Sequence, residues 1–172
     1  KVMARAASLL IPVELELGGK DPLIVFDDAD LERSVNGALW GAFVNSGQTC
    51  TSIERIYVQQ DIYKDFLAAL KEKAERIRTL ATPGNENDEY GLMMGCMTAE
   101  FQIQEIERQL EESIPMGARV ITGGKRIPGT HVFPPTIVVD VTPDMPVQCE
   151  ETFGPVVTVT SFRDEDEAVR LA

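Results

Sequence analysis

Cys50 stands in Phe43-Val44-Asn45-Ser46-Gly47-Gln48-Thr49-Cys50-Thr51-Ser52, at the end of an apolar helical run and just past a glycine and small polar side chains. A packing thiol normally has bulky apolar neighbours. A chain that turns at a glycine and then presents a cysteine can aim sulfur and backbone N–H groups into one cleft. The placement reads as that of a nucleophile, which needs a lowered pKa or a nearby base.

Two residues can serve as that base. His131 is the single histidine and lies among turn residues in Gly129-Thr130-His131-Val132-Phe133. A Cys–His dyad would have to use it, although the same setting suits a histidine of a surface loop. Glu16, in Leu15-Glu16-Leu17-Gly18-Gly19-Lys20, is the better candidate. It is a carboxylate directly before two glycines that let a substrate or cofactor approach the backbone. Taken alone, Glu14 and Glu16 read rather as the solvent face of an alternating strand. A G-x-S-x-G elbow, a G-x-x-x-x-G-K-[ST] loop and a G-x-G-x-x-G turn are all absent from the sequence.

The elements that must position these residues follow from periodicity. Residues 1–10 read as a helix ended by Pro12, and Val13–Leu17 alternate as a strand. Pro22–Phe26 is a buried-strand candidate. Asp28 is the expected N-cap of a helix carrying Leu31, Val35, Ala38, Leu39 and Ala42 up to the Cys50 turn. Arg55–Gln60 is strand-like, and an amphipathic helix from Asp61 carries Ile62, Phe66, Leu67, Leu70, Ala74 and Ile77. Residues 82–88 form a polar loop. Thr98 opens a third helix using Phe101, Ile103, Ile106 and Leu110. Strands at 118–122, 136–139 and 156–160 follow, and Asp164 with Glu167 makes a capping box for a last helix. Strands alternating with helices predict an α/β domain, a three-layer αβα arrangement with a mostly parallel sheet.

Composition narrows the function classes. The 172 residues are long enough for one domain core, and a net charge of −12 disfavours nucleic acid or an anionic membrane as partner. No apolar run approaches bilayer length, and no signal peptide is read at the start. Cysteines at 50, 96 and 149, odd in number, give neither a disulfide framework nor a paired metal spacing. A reducing, cytoplasmic setting is expected, with Cys96 and Cys149 incidental. Both ends read as cut within helices, so the chain is expected to be a piece of something longer.

Together, Leu15-Glu16-Leu17-Gly18-Gly19-Lys20 and Asn45-Ser46-Gly47-Gln48-Thr49-Cys50 resemble the paired motifs of the aldehyde dehydrogenase superfamily. Asp27-Asp28-Ala29-Asp30-Leu31 between them, Arg55 after the cysteine, Pro135-Thr136, and Glu150-Glu151-Thr152-Phe153-Gly154-Pro155 continue the resemblance in order along the chain. It implies NAD(P)-dependent oxidation of a small-molecule aldehyde to a carboxylic acid. In that scheme Cys50 forms a thiohemiacetal and then a thioester, its backbone N–H donates to the oxyanion, and Glu16 is general base for thioester hydrolysis. Glu151 would bind the nicotinamide ribose with Phe153 packed near it, and Leu17 and Gly18 would lie close to the nicotinamide. No metal is implied. Lys20 is expected to form a structural ion pair, and Arg55 to orient the cysteine loop.

The resemblance also implies what lies elsewhere. Residues 1–17 correspond to the end of a dinucleotide-binding domain and residues 18–172 to a catalytic domain truncated at its C-terminus. The oxyanion-hole asparagine, a ribose-binding lysine and the oligomerisation strands belong to missing parts. Residues 92–96 match the family more loosely. The full-length parent is expected to be a homodimer or homotetramer. The isolated piece is expected to lack dehydrogenase activity, serving at most as a weak cysteine esterase or a structural α/β module.

Overall fold

The computed structural model describes residues 1–79 and 93–172. The polar loop expected at 82–88 lies outside the described residues, as does the first residue of the 92–96 stretch. The elements are α1 (Val2–Ala7), β1 (Asp21–Val25), α2 (Leu31–Phe43), β2 (Ile53–Gln59), α3 (Tyr63–Glu75), β3 (Arg78–Thr79) and β4 (Met93–Met94). They continue with α4 (Glu100–Ser113), β5 (Arg119–Thr122), β6 (Thr136–Val139), α5 (Pro146–Cys149), β7 (Val156–Phe162) and α6 (Glu165–Leu171).

Five strands form one sheet in the order β1-β2-β7-β6-β5. All neighbours run parallel except β5, which pairs antiparallel with β6 at an edge. β3 and β4 form a separate parallel pair. Because side chains alternate along a strand, β2 supplies both layers: Ile56 and Val58 join the core under α2 and α3, whereas Tyr57 packs with Phe162 and Ala168 under α6. Ile103, Ile106 and Leu110 of α4 bury with Phe133, Val138 and Val156. Helices thus cover both faces of the sheet, the expected α/β layering.

Several local expectations are corrected. Val13–Leu17 forms no strand, and Leu15 and Leu17 are exposed. An alternating pattern makes a strand only where a neighbour supplies the ladder, and no described strand pairs with this segment. The cap of α2 is Asp30, not Asp28. Asp30 has extended backbone directly before the helix and accepts from the Arg33 amide at 2.8 Å. The cap position of α4 is Ala99, with no side-chain cap bond, one residue after Thr98; the Thr98 amide donates to Gln48 Oε1 at 2.8 Å. Phe101, expected in the core, is exposed. Half of the expected capping box forms at α6: Asp164 accepts from the Glu167 amide, but the Glu167 carboxylate turns to the Arg163 amide and guanidinium.

Candidate active site

Three segments that immediately precede three neighbouring parallel strands meet at one edge of the sheet. Gly18–Lys20 leads into β1, Gly47–Ser52 into β2 and Glu151–Pro155 into β7. Parallel pairing forces these entries to the same end. This is the N-terminal edge, whereas open α/β sheets ordinarily bind ligands at the carboxyl ends of their strands.

The cysteine loop gets its shape from consecutive left-handed residues. Asn45, Ser46 and Gly47 have φ of 53°, 59° and 69°. Such a run is unfavourable for residues with a Cβ, and side chains close around it. Asn45 Nδ2 donates to the Gln48 carbonyl and Gln48 Nε2 to the Asn45 carbonyl, each at 3.0 Å. Ser46 Oγ donates to the Gly95 carbonyl at 3.1 Å and Ser52 Oγ to the Gly41 carbonyl at 3.1 Å. At Gly47 the backbone comes so close to Gly154 that a Cβ would stand 2.1 Å from its carbonyl oxygen. The loop therefore leans on the chain just after Phe153 and leaves Cys50 exposed.

The two glycines after Glu16 make the second approach. A Cβ at Gly18 would fall 2.0 Å from Glu151 Oε2, and the Gly19 amide donates to Glu151 Oε1 at 3.1 Å. A Cβ at Gly19 would stand 3.1 Å from the Cys50 carbonyl oxygen. The geometry thus brings together Gly18, Gly19, Glu151 and the Cys50 backbone. Glu16 and Leu17 are exposed on the segment leading into this contact, and Phe153 is half-buried with φ of 49°. Glu16 lies three residues from Gly19, a span of at most about 11 Å. The His131 ring faces Glu100 at 3.5 Å in a surface loop, and its carbonyl accepts from the Met97 amide at 2.8 Å.

A buried polar network behind the contact was not evident from residue types. Glu54 is 3 % exposed. Its carboxylate accepts from the Thr152 amide at 2.9 Å and the Phe153 amide at 2.8 Å, and pairs with Lys20 Nζ at 2.6 Å. Lys20 also donates to Thr152 Oγ1 at 2.8 Å. Burial holds the Lys20 ammonium below its ordinary pKa, with Glu54 opposing that shift. Gln109, fully buried on α4, donates to the Glu151 carbonyl at 3.0 Å and accepts from Thr152 Oγ1 at 2.8 Å. Lys20 is therefore the ion-paired residue expected. Arg55 does not orient the cysteine loop; its guanidinium donates to the carbonyls of Lys20, Leu171 and Ala172. The signal that could have found Glu54 is its period-two spacing with Ile56 and Val58, which puts a carboxylate on the buried face of β2 four residues past the cysteine.

Trp40 and Val44, both exposed, stand one turn apart where α2 runs into the cysteine loop, beside a cleft of about 180 Å³ completed by Leu39, Phe43, Ile77 and Met94. Among the described residues, no group of three or more His, Cys, Asp or Glu could hold a metal ion, and no helix is long and apolar enough to cross a membrane.

A family model described as the aldehyde dehydrogenase family matches residues 1–172. The chain belongs to the aldehyde dehydrogenase family. It is 39% identical over 173 residues to lactaldehyde dehydrogenase of Escherichia coli, covering 100% of this chain and 35% of that protein. To betaine aldehyde dehydrogenase of Sinorhizobium fredii it is 44% identical over 178 residues, again 100% of this chain and 35% of the relative. The crystal structure of Staphylococcus aureus betaine aldehyde dehydrogenase in complex with NAD+ superposes with a TM-score of 0.87 at 36% identity, over 99% of this chain and 34% of that one. An NADP-dependent enzyme of E. coli superposes with a TM-score of 0.90 at 38% identity, over 99% and 35% of the two chains. The chain thus spans about a third of the length of these aldehyde dehydrogenases.

Proposed function

We propose that these residues supply the nucleophile side of an NAD(P)-dependent aldehyde dehydrogenase that oxidises a small aldehyde to a carboxylic acid. Residues 1–17 would end its dinucleotide-binding domain and residues 18–172 would belong to its catalytic domain. The active enzyme would be a longer, cytoplasmic chain assembled as a homodimer or homotetramer. One observation carries the reading: the Gly18–Gly19 pair touches both Glu151 and the Cys50 backbone. Nucleophile and candidate cofactor acid meet at one glycine pair.

The residues present fit the ribose end of a nicotinamide dinucleotide. Glu151 spends one oxygen on the Gly19 amide and keeps acceptor lone pairs for hydroxyl donors. With no side chain at Gly18, the Glu151 carboxylate lies in the space that a Cβ there would fill. Leu17 and Phe153 would flank the group with apolar surface.

In the reaction, the Cys50 thiolate attacks the aldehyde carbon. A C–S bond forms and the carbonyl π pair moves to oxygen. The Cys50 amide donates to that oxyanion, an interaction worth a few kcal/mol (about 3) when the donor is fixed. Glu151 and the Gly18–Gly19 pair would hold a nicotinamide dinucleotide, which when bound would supply the hydride acceptor; what stays on Cys50 is a thioester. Glu16 takes a proton from water as the water oxygen attacks the thioester carbon. The C–S bond breaks, the carboxylic acid leaves and the thiolate is restored.

The test is Cys50→Ser in the longer enzyme. Aldehyde-dependent NAD(P)H formation should fall to background, and retained turnover would overturn the reading. The 172 residues alone are expected to form no NAD(P)H, because they span about a third of the relatives' length.

A further inference from the structure

Glu54 touches none of the atoms assigned to the reaction, yet its carboxylate joins the two segments that carry them. On one side it receives the Lys20 ammonium, two residues past Gly18. On the other it receives the amides of Thr152 and Phe153, which directly follow Glu151. Lys20 reinforces the same link by donating to Thr152 Oγ1. From the opposite side, Gln102 donates to the Thr152 carbonyl at 2.7 Å and Gln109 to the Glu151 carbonyl at 3.0 Å. The 151–153 peptides are thus pinned at their amides from β2 and at their carbonyls from α4.

We propose that Glu54 is a positioning residue for dinucleotide binding: through Lys20 and the 152–153 amides it fixes the Glu151 carboxylate against Gly18 and Gly19. The inference rests on the reading of Glu151 as the ribose-binding acid. Two physical points favour it over a purely structural ion pair. A buried pair is a weak source of stability, often replaceable by apolar side chains, so the charge is better explained by the geometry it sets. Phe153 is held at φ of 49°, a conformation that non-glycine residues keep only where surroundings impose it. The Glu54 bond to its amide is such an imposition. A glutamine cannot reproduce the site, since one carbonyl oxygen would serve three donors while its NH₂ faced an ammonium or an amide N–H.

The experiment compares the wild-type longer enzyme with Glu54→Gln and with the Lys20→Met/Glu54→Gln double variant. The double variant leaves no buried charge unpaired and carries the measurement if the single one does not fold. Both should raise the dinucleotide KM about tenfold or more through misplacement of Glu151, with kcat at saturating dinucleotide and iodoacetamide alkylation of Cys50 within about threefold of wild type. An unchanged KM with a lowered melting temperature would overturn the proposal, leaving Glu54 a structural residue. Equal losses of Cys50 alkylation and dinucleotide binding would overturn it too, moving the role to the cysteine loop. A wild type that reduces no dinucleotide sinks the functional reading, and this inference with it. An active wild type with an unchanged KM in the double variant sinks the inference alone.

Discussion

Glu151 accepts a hydrogen bond from the Gly19 amide at 3.1 Å, although 132 residues separate them in sequence. With the Cys50 carbonyl against the other side of Gly19, that bond makes the glycine pair the hinge-point of the site.

Gly18→Ala tests the approach at that point. The new Cβ would fall 2.0 Å from Glu151 Oε2, at the far end of a flexible side chain that can swing away. Stability should therefore change by less than about 1 kcal/mol, while the dinucleotide KM rises about tenfold as Glu151 leaves its position. Steady-state kinetics beside a thermal melt check the split, and an unaltered KM counts against the role of Glu151.

Gly47→Ala should behave differently, because its obstacle is backbone. The Cβ would meet the Gly154 carbonyl oxygen at 2.1 Å, at a φ of 69°. Positive φ costs roughly 1–2 kcal/mol and overpacking typically 1–3 kcal/mol more. A loss of about 3 kcal/mol is expected, read as a melting temperature lower by roughly 6–12 °C. A melt shifted by a degree or less would mean the loop does not rest on Gly154.

The Lys20–Glu54 pair gives a pH signature. Burial lowers the Lys20 pKa in the folded state, so the unfolded chain, with an ordinary value of about 10.4, binds this proton more tightly. Between the lowered pKa and about 10.4, the contribution of Lys20 to stability rises with pH. Wild type should therefore lose less melting temperature between pH 8 and 10 than the Lys20→Met/Glu54→Gln variant. Parallel pH dependence of the two proteins would contradict this.

What could be read from the sequence, and what could not, divides by range. The β-branched runs at 136–139 and 156–160 found their strands, because local pattern and burial agree there. The Glu16-to-Lys20 and Asn45-to-Cys50 stretches pointed to the family only in combination, since Glu16 alone reads as a solvent-facing residue of a strand. Val13–Leu17 misled, since alternation cannot supply the neighbouring strand that pairing needs. Glu54 was missed because the expected strand began one residue later, at Arg55. It shares a face of β2 with Ile56 and Val58, and the amides that its carboxylate receives lie 98 and 99 residues away. The choice of Asp28 over Asp30 as a cap failed by two residues, the spacing at which three aspartates in four positions cannot be ranked from sequence.

The central claim is that Cys50 carries the acyl group and Glu16 activates the water that removes it. Glu16→Gln in the longer enzyme, mixed with aldehyde and dinucleotide and quenched in acid, should accumulate a thioester resolved by peptide mass spectrometry. The predicted result is one acyl adduct on the peptide containing Cys50, with a burst of NAD(P)H equal to the adduct formed. An adduct on the Cys96 or Cys149 peptide, or undiminished turnover with no adduct, would contradict the account.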